Sequence, residues 1–254
     1  MKKYRYITYI TILLILMLWF FSTAFGWIDT RIFPSPKDTY QALVSILVDG
    51  YKGNTVLTHL AASMYRLFIA FALAVITGTI IGLTSGYSRK LSAVFEPIIE
   101  FYRPLPPLAY YTLLVLWMGI ENESKIALLY LACLPPIYIS CYQGVKRVSP
   151  LYVQSASVLG ADSKKIFMHV ILPSCLPDIF TGMRTAIGVG YSTVVAAEMV
   201  AATSGIGWMV LDASNYLRND IVFAGILIMS LTGICMDQIL RILEKKIVPW
   251  KGKM

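Results

Sequence analysis

The stretch Ile7–Phe25, ITYITILLILMLWFFSTAF, runs for 19 residues without one charged side chain. A helix rises about 1.5 Å per residue, so about 20 apolar residues cover the roughly 30 Å hydrocarbon layer of a bilayer. In a soluble protein such a segment would saturate the interior and still leave apolar surface in water. Working outward, five further stretches approach the same length: Met64–Gly86, Leu105–Ile120, Ile126–Val145, Ile179–Ala202 and Val222–Leu243. The composition agrees, since 57% of the 254 residues are hydrophobic and 14% charged, against roughly 45–50% and about 25% in an ordinary soluble domain. The expected fold is an all-α membrane protein with six transmembrane helices. The basic start Met1-Lys2-Lys3-Tyr4-Arg5 also has the form of a secretory leader with Ser22-Thr23-Ala24 as its cleavage site. Its apolar stretch is too long for one, and an uncleaved first span is expected.

The net charge of +8 does not point to nucleic acid, because long apolar runs separate the Lys and Arg that a nucleic-acid reader would gather on one solvated face. It points to topology. With the amino terminus inside, fifteen cations fall on the inner side: Lys2, Lys3, Arg5, Arg89, Lys90, Arg103, Lys146, Arg147, Lys164, Lys165, Arg241, Lys245, Lys246, Lys251 and Lys253. Arg31, Lys37, Lys52, Arg66, Lys125 and Arg218 fall outside. This asymmetry places both termini in the cytoplasm.

Within the spans, Ala70, Ala74, Gly78, Gly82 and Gly86 recur every four residues, a ridge of small side chains that lets another helix approach closely. Its plainer reading is a packing seam inside one subunit, ahead of a dimer interface. Pro135-Pro136 remove two amide donors and are expected to kink or break the fourth span, in the interior of a bundle where neighbours re-satisfy the carbonyls. Cys133, Cys141, Cys175 and Cys235 form no CxxC pair and read as small packing residues.

The longest inner connection, Lys146 to Asp178, reads as two short helices. Ser149 caps the first with Pro150 at its first position, and Gly160 stands where a helix takes a left-handed terminator. Asp162 caps the second, Ile166, Phe167, Val170 and Ile171 form an apolar stripe, and Pro173 with Pro177 are expected to stop it. Periodicity alone leaves two readings open. The hairpin rests on lipid, or its stripe with Lys164 and Lys165 enters a groove on a cytoplasmic partner.

The run Gln154-Ser155-Ala156, then Gly160, then Val170-Ile171-Leu172-Pro173 resembles the EAA signature of ABC importer permeases: Glu-Ala-Ala, three residues, Gly, nine residues, Ile-x-Leu-Pro. Gln154, Ser155 and Val170 depart from that pattern, so the usual first carboxylate is missing. The resemblance extends from about His59 to Gly252 and is nearest the taurine importers of the taurine, alkanesulfonate and nitrate group. It is carried by residues 96–109 (EPIIEFYRPLPPLA), 181–184 (TGMR), 188–198 (GVGYSTVVAAE) and Pro249-Trp250. The resemblance implies a permease core over 59–243, preceded by a span and external loop in 1–58 and followed by a cytoplasmic tail in 244–254. It implies a bacterial inner-membrane location, a homodimer, two ATP-binding subunits and an extracytoplasmic substrate-binding protein. Gln154, Ser155, Ala156, Gly160, Val170, Leu172 and Pro173 would then belong to the ATPase-coupling loop. The implied cargo is taurine or a related alkanesulfonate, with another small anion such as nitrate as the alternative.

No GxxxxGK[ST], HExxH, GxSxG or GxGxxG after a strand occurs, and His59 and His169 are the only imidazoles. A non-catalytic subunit is therefore expected, with no cofactor or metal of its own and ATP hydrolysis on a separate chain. His169 reads as a solvated surface residue. Arg184 and Asp237 lie near span ends, where Arg184 can snorkel to the headgroups and Asp237 can pair with Arg241 four residues on. Glu198, among small residues near the outer end of the fifth span, is the candidate path or gate residue. An ion-gradient-driven secondary transporter would need inverted repeats and polar residues midway through broken spans, and neither stands out. A membrane scaffold without transport would use the hairpin only as an anchor.

Overall fold

A computed structural model describes residues 5–250. Lys2, Lys3, Lys251 and Lys253, counted above on the inner side, lie outside the described residues. The chain forms α1 (Arg5–Ala24), α2 (Pro36–Val48), α3 (Val56–Tyr87), α4 (Arg89–Tyr102), α5 (Pro107–Met118), α6 (Asn122–Arg147), α7 (Pro150–Val158) and α8 (Ser163–Ile166). A π-helical turn, Phe167–Ile171, joins α8 to α9 (Leu172–Ala201), and α10 (Ile206–Asn215) and α11 (Asn219–Ile247) follow. Among the described residues, five helical stretches are long and apolar enough to cross a membrane: Tyr6–Ala24, Val56–Tyr87, Asn122–Arg147, Ser163–Ala201 and Asn219–Ile247. The remaining expected span, Leu105–Ile120, is represented by α5, whose 12 residues reach about 18 Å.

The residues divide into two compact units, one made of the chain up to Ala62 with Thr203–Leu231, the other of Ser63–Ala202 with the chain from Thr232 on. In the first unit, Ser35 and Asp38 form a reciprocal capping box that starts α2. α2 buries Ala42 and Ile46 in a cluster with Val56, Ile206, Met209 and Ala213. Tyr51 donates its hydroxyl to Asp212 at 2.7 Å, and Lys52 reaches the same carboxylate at 2.8 Å. Burial pushes the Asp212 carboxyl up, but the hydrogen bonds from Lys52 and Tyr51 outweigh it and hold the group below its ordinary value.

The second unit is built on the approach of α3 and α9 to α6. The small-residue ridge on α3 is the seam. A methyl at Gly82 would stand 2.7 Å from Tyr138 O and from Cys141 Cβ, and one at Gly86 would stand 2.7 Å from Val145 Cβ. α9 meets an adjoining face of α6 in the same way, with Gly182 facing Ser140 and Gly190 facing Cys133. Lipid supplies no hydrophobic drive between helices, so these close approaches supply the van der Waals contact that holds them together. Cys133, Cys141 and Cys175 are buried free thiols in this core, and Cys235 is exposed.

Two local expectations need correction. α6 is not broken at Pro135-Pro136, because residues on both sides of the pair, among them Ala132, Cys133, Ile137 and Tyr138, are buried against neighbours that hold the helix together. Nor do Pro173 and Pro177 end their helix, which continues to Ala201. The wider π turn immediately before Pro173 relieves the clash of its ring with the preceding turn. Arg184 Nε donates to Asp237 at 2.9 Å, Asp237 also receives Arg241 at 2.6 Å, and Arg184 Nη1 lies 3.9 Å from Glu244, so the expected i,i+4 pair is part of a four-residue network.

Candidate functional site

The loop that carries the signature is positioned by its caps. Ser149 Oγ accepts from Leu151 N at 3.3 Å, and α7 then runs to Val158. Gly160 adopts φ +82°, the left-handed region in which a side chain is strained. Ala161 N donates back to Ala156 O at 3.0 Å, closing the end of α7, and Asp162 Oδ1 accepts Lys165 N at 2.7 Å to start the return. The hairpin expected from the residues is therefore present, including its turn.

Its apolar stripe faces inward rather than outward. Ile166 and Ile171 are buried in the core cluster with Leu83, Val145 and Cys175, and Phe167 and Val170 pack against it. Ile166 and Ile171 are accordingly closed to lipid and to a partner, while Phe167 and Val170 stay half-buried. Helix α7 behaves in the opposite way. It buries no residue, and Leu151, Tyr152, Val158 and Leu159 remain 65%, 57%, 87% and 87% exposed. These four side chains, passed over in the sequence, are the outward apolar surface of the hairpin. Val158-Leu159 directly before the glycine was the signal available for them, because a turn seldom displays two large apolar residues without a partner.

The signature residues split into groups. Ser155, Val170 and Pro173 line one groove of about 610 Å³ together with Tyr152, His169, Ser174 and Trp250. Gln154 is exposed on α7, Ala156 and Leu172 turn partly into the core, and Gly160 makes the bend. His169 is exposed, its Nδ1 within 3.1 Å of Lys165 O.

Glu198 lies apart from the hairpin and is fully buried. Arg66 Nη1 meets its Oε1 at 2.6 Å, Ser63 Oγ donates to Oε2 at 2.9 Å, and Arg66 Nε donates to Asn122 at 2.7 Å. Arg66 had been assigned to the external loops. α3 begins at Val56, eight residues before the expected span Met64–Gly86, so Arg66 lies well inside the helix, and its guanidinium is 6% exposed. The spacing of Ser63 and Arg66, one helical turn apart ahead of the small-residue ridge, was the signal for a polar face. Lys125, also assigned outside, folds back from the first turn of α6 to the carbonyls of Ile120 and Glu121.

Long apolar helices around a glycine seam, with an exposed amphipathic hairpin between two of them, describe a membrane component of a multisubunit transporter. The chain belongs to the family of binding-protein-dependent transport system inner membrane components, whose signature matches residues 74–249. It is 39% identical over 245 residues, 96% of this chain and 89% of the relative, to the taurine transport system permease protein TauC of Escherichia coli (strain K12). It is 35% identical over 93% of its length to the putative aliphatic sulfonates transport permease protein SsuC of the same organism, covering 88% of that protein. The protein of the same description from Bacillus subtilis (strain 168) is 30% identical over 94% of this chain and 85% of its own length. The chain is thus a multi-pass permease subunit of an ABC importer, a class that works with ATP-hydrolysing and substrate-binding partners.

Proposed function

We propose that this permease carries taurine or a closely related alkanesulfonate into the cytoplasm as a homodimer bound to two ATP-binding subunits. The observation that carries the coupling part is the uncovered apolar face of α7, held at a fixed angle by the Gly160 turn. The taurine and aliphatic-sulfonate permeases among its relatives support the cargo. Both termini lie in the cytoplasm, as the cation asymmetry of the connections favours. The chain itself performs no chemistry. A loaded extracytoplasmic binding protein docks outside, ATP closes the paired ATP-binding subunits, and the two hairpins move with them. That motion reaches the spans through α9, which is continuous with the hairpin. ATP drives the cycle because it binds the two arrangements of the ATPase unequally. The buried Arg66–Glu198 pair, joining α3 to α9, acts as a gate whose partners separate as the helices move.

The test is uptake of labelled taurine by the native strain with and without this chain, under sulfate limitation and with alkanesulfonate competitors. Loss of ATP-dependent uptake, restored by the intact chain, is expected. Unchanged uptake in a strain without a redundant importer would remove taurine as the cargo.

A further inference from the structure

Between the end of α3 at Tyr87 and the start of α6 at Asn122 the chain returns along α6 in two pieces. α4 has 14 residues and α5 has 12, about 21 and 18 Å, so neither covers the hydrocarbon layer alone and the two in series do. Their contacts set them one after the other on α6. Ser92 Oγ lies 3.2 Å from Tyr142 OH toward the Arg147 end, Ile99 is buried with Leu134 and Tyr138, and Tyr111 and Leu114 are buried with Leu128. The break between α4 and α5, residues 103–106, thus sits between the levels of Leu134 and Leu128. That is about 9–18 Å from the Asn122 end of a helix about 39 Å long, inside the hydrocarbon layer. Pro104, Pro106 and Pro107 supply no amide donors, so α4 cannot run on into α5.

Irregular backbone at such depth lines water or is covered by protein, and does not face lipid. Here Arg103, Pro104, Leu105 and Pro106 are all exposed on the subunit. Glu100 stands exposed one turn before Arg103, and neither enters an ion pair among the described residues. Other charges of this unit are engaged: Arg66 with Glu198, Arg184 with Asp237, and Glu96 with Ser92 Oγ at 2.7 Å. An unpaired charge held within the hydrocarbon layer marks a water-filled path.

We propose that Glu100 and Arg103, at the break between α4 and α5, form a site for a zwitterionic aminoalkanesulfonate in the path, with Arg103 taking the sulfonate and Glu100 the ammonium group. The guanidinium presents a planar fork of N–H donors that suits the oxygens of such an anion. Residues three apart on a helix hold their Cβ atoms about 5–6 Å apart, the scale of the ethylene spacer between the two charges of taurine. The carboxylate gives an ammonium-bearing sulfonate an attraction that a plain alkanesulfonate lacks. This deepens the reading of a sulfonate cargo and rests on it.

The test uses the assembled importer. Arg103→Gln is expected to lower uptake of labelled taurine about ten-fold or more, the loss of a charge-assisted contact, and Arg103→Lys to restore part of it. Binding is read separately from transport by Leu105→Cys at the break, in a chain carrying Cys235→Ser. A water-soluble methanethiosulfonate is expected to label this cysteine, and taurine to slow the labelling more than ethanesulfonate does at the same concentration. Glu100→Gln should erase the difference between the two ligands, and Arg103→Gln the protection itself. A cysteine closed to the reagent, or protection and uptake that survive Arg103→Gln, would overturn the proposal, and equal protection by both ligands in the parent would overturn the role of Glu100. If the parent moves taurine and Arg103→Gln moves it equally, the site falls and the cargo stands. If the parent neither moves nor is protected by any sulfonate, the cargo reading falls and takes the site with it.

Discussion

Helices α6 and α7 are consecutive in the chain and opposite in how they are specified. α6 buries half of its 26 residues, among them Leu128, Ile137 and Cys141, between the glycine faces of α3 and α9. α7 buries none of its nine and turns Leu151 and Tyr152 outward, followed by Leu159 just beyond its end. Each buried position of the first is set by what it touches, so almost any change of volume there is felt. The second keeps its conformation through caps and one glycine, turning Val153 and Ala156 partly to the core and leaving Leu151, Tyr152 and Val158 exposed. Stability and function are thereby divided between neighbouring segments, and substitutions should separate them.

The largest loss of stability is expected where a buried charge loses its partner. Arg66→Ala should destabilise the detergent-solubilised protein by about 3–5 kcal/mol, since Glu198 would be left buried and uncompensated. Replacing both residues by apolar ones of similar volume should recover most of that loss in a thermal unfolding assay while abolishing any gating role. Gly82→Ala comes next, at about 1–3 kcal/mol, because the added methyl meets the backbone carbonyl of Tyr138 at 2.7 Å, which cannot swing away. Equal melting temperatures for Gly82→Ala and the parent would break the picture of a close-packed seam.

On the hairpin the order reverses. Gly160→Val strains the left-handed turn by about 1–2 kcal/mol and should uncouple ATP hydrolysis from uptake while the spans stay folded. Leu159→Asp should change stability by less than about 0.5 kcal/mol and yet release the ATP-binding subunit on co-purification. The smallest effect concerns the contact of Lys52 and Tyr51 with the half-buried Asp212. The folded carboxyl lies below its ordinary value, so its stabilisation is present above about pH 3.9 and is lost as the pH falls through the lower folded value. The difference in melting temperature between the parent and Asp212→Asn should accordingly vanish on acidification and be constant through neutral pH.

The same contrast explains what could be read in the sequence. Caps, the Gly160 turn, the four-residue ridge and the Asp237–Arg241 pair depend on residues within a turn or two of each other, and all could be placed from spacing. Glu198 and Arg66 lie 132 residues apart, and no local pattern joins them. The stripe Ile166–Ile171 was legible as apolar, but the side it faces is decided by the core around Val145 and Cys175. Pro173 was legible as a breaker, and what it could not reveal is a π turn that makes room for its ring. The groove around Ser155, Val170 and Pro173 exists because α7 folds back beside α9 and the tail. Spacing within a signature cannot show which of its members converge.

The most direct test of the account is ATP hydrolysis and taurine uptake measured together on the reconstituted importer, comparing the parent with Leu159→Asp. The account predicts that the variant permease inserts and melts like the parent, loses the ATP-binding subunit and shows no ATP-dependent uptake. Full uptake with Leu159→Asp, at normal abundance of every subunit, would contradict the assignment of α7 as the helix that couples this permease to its ATPase.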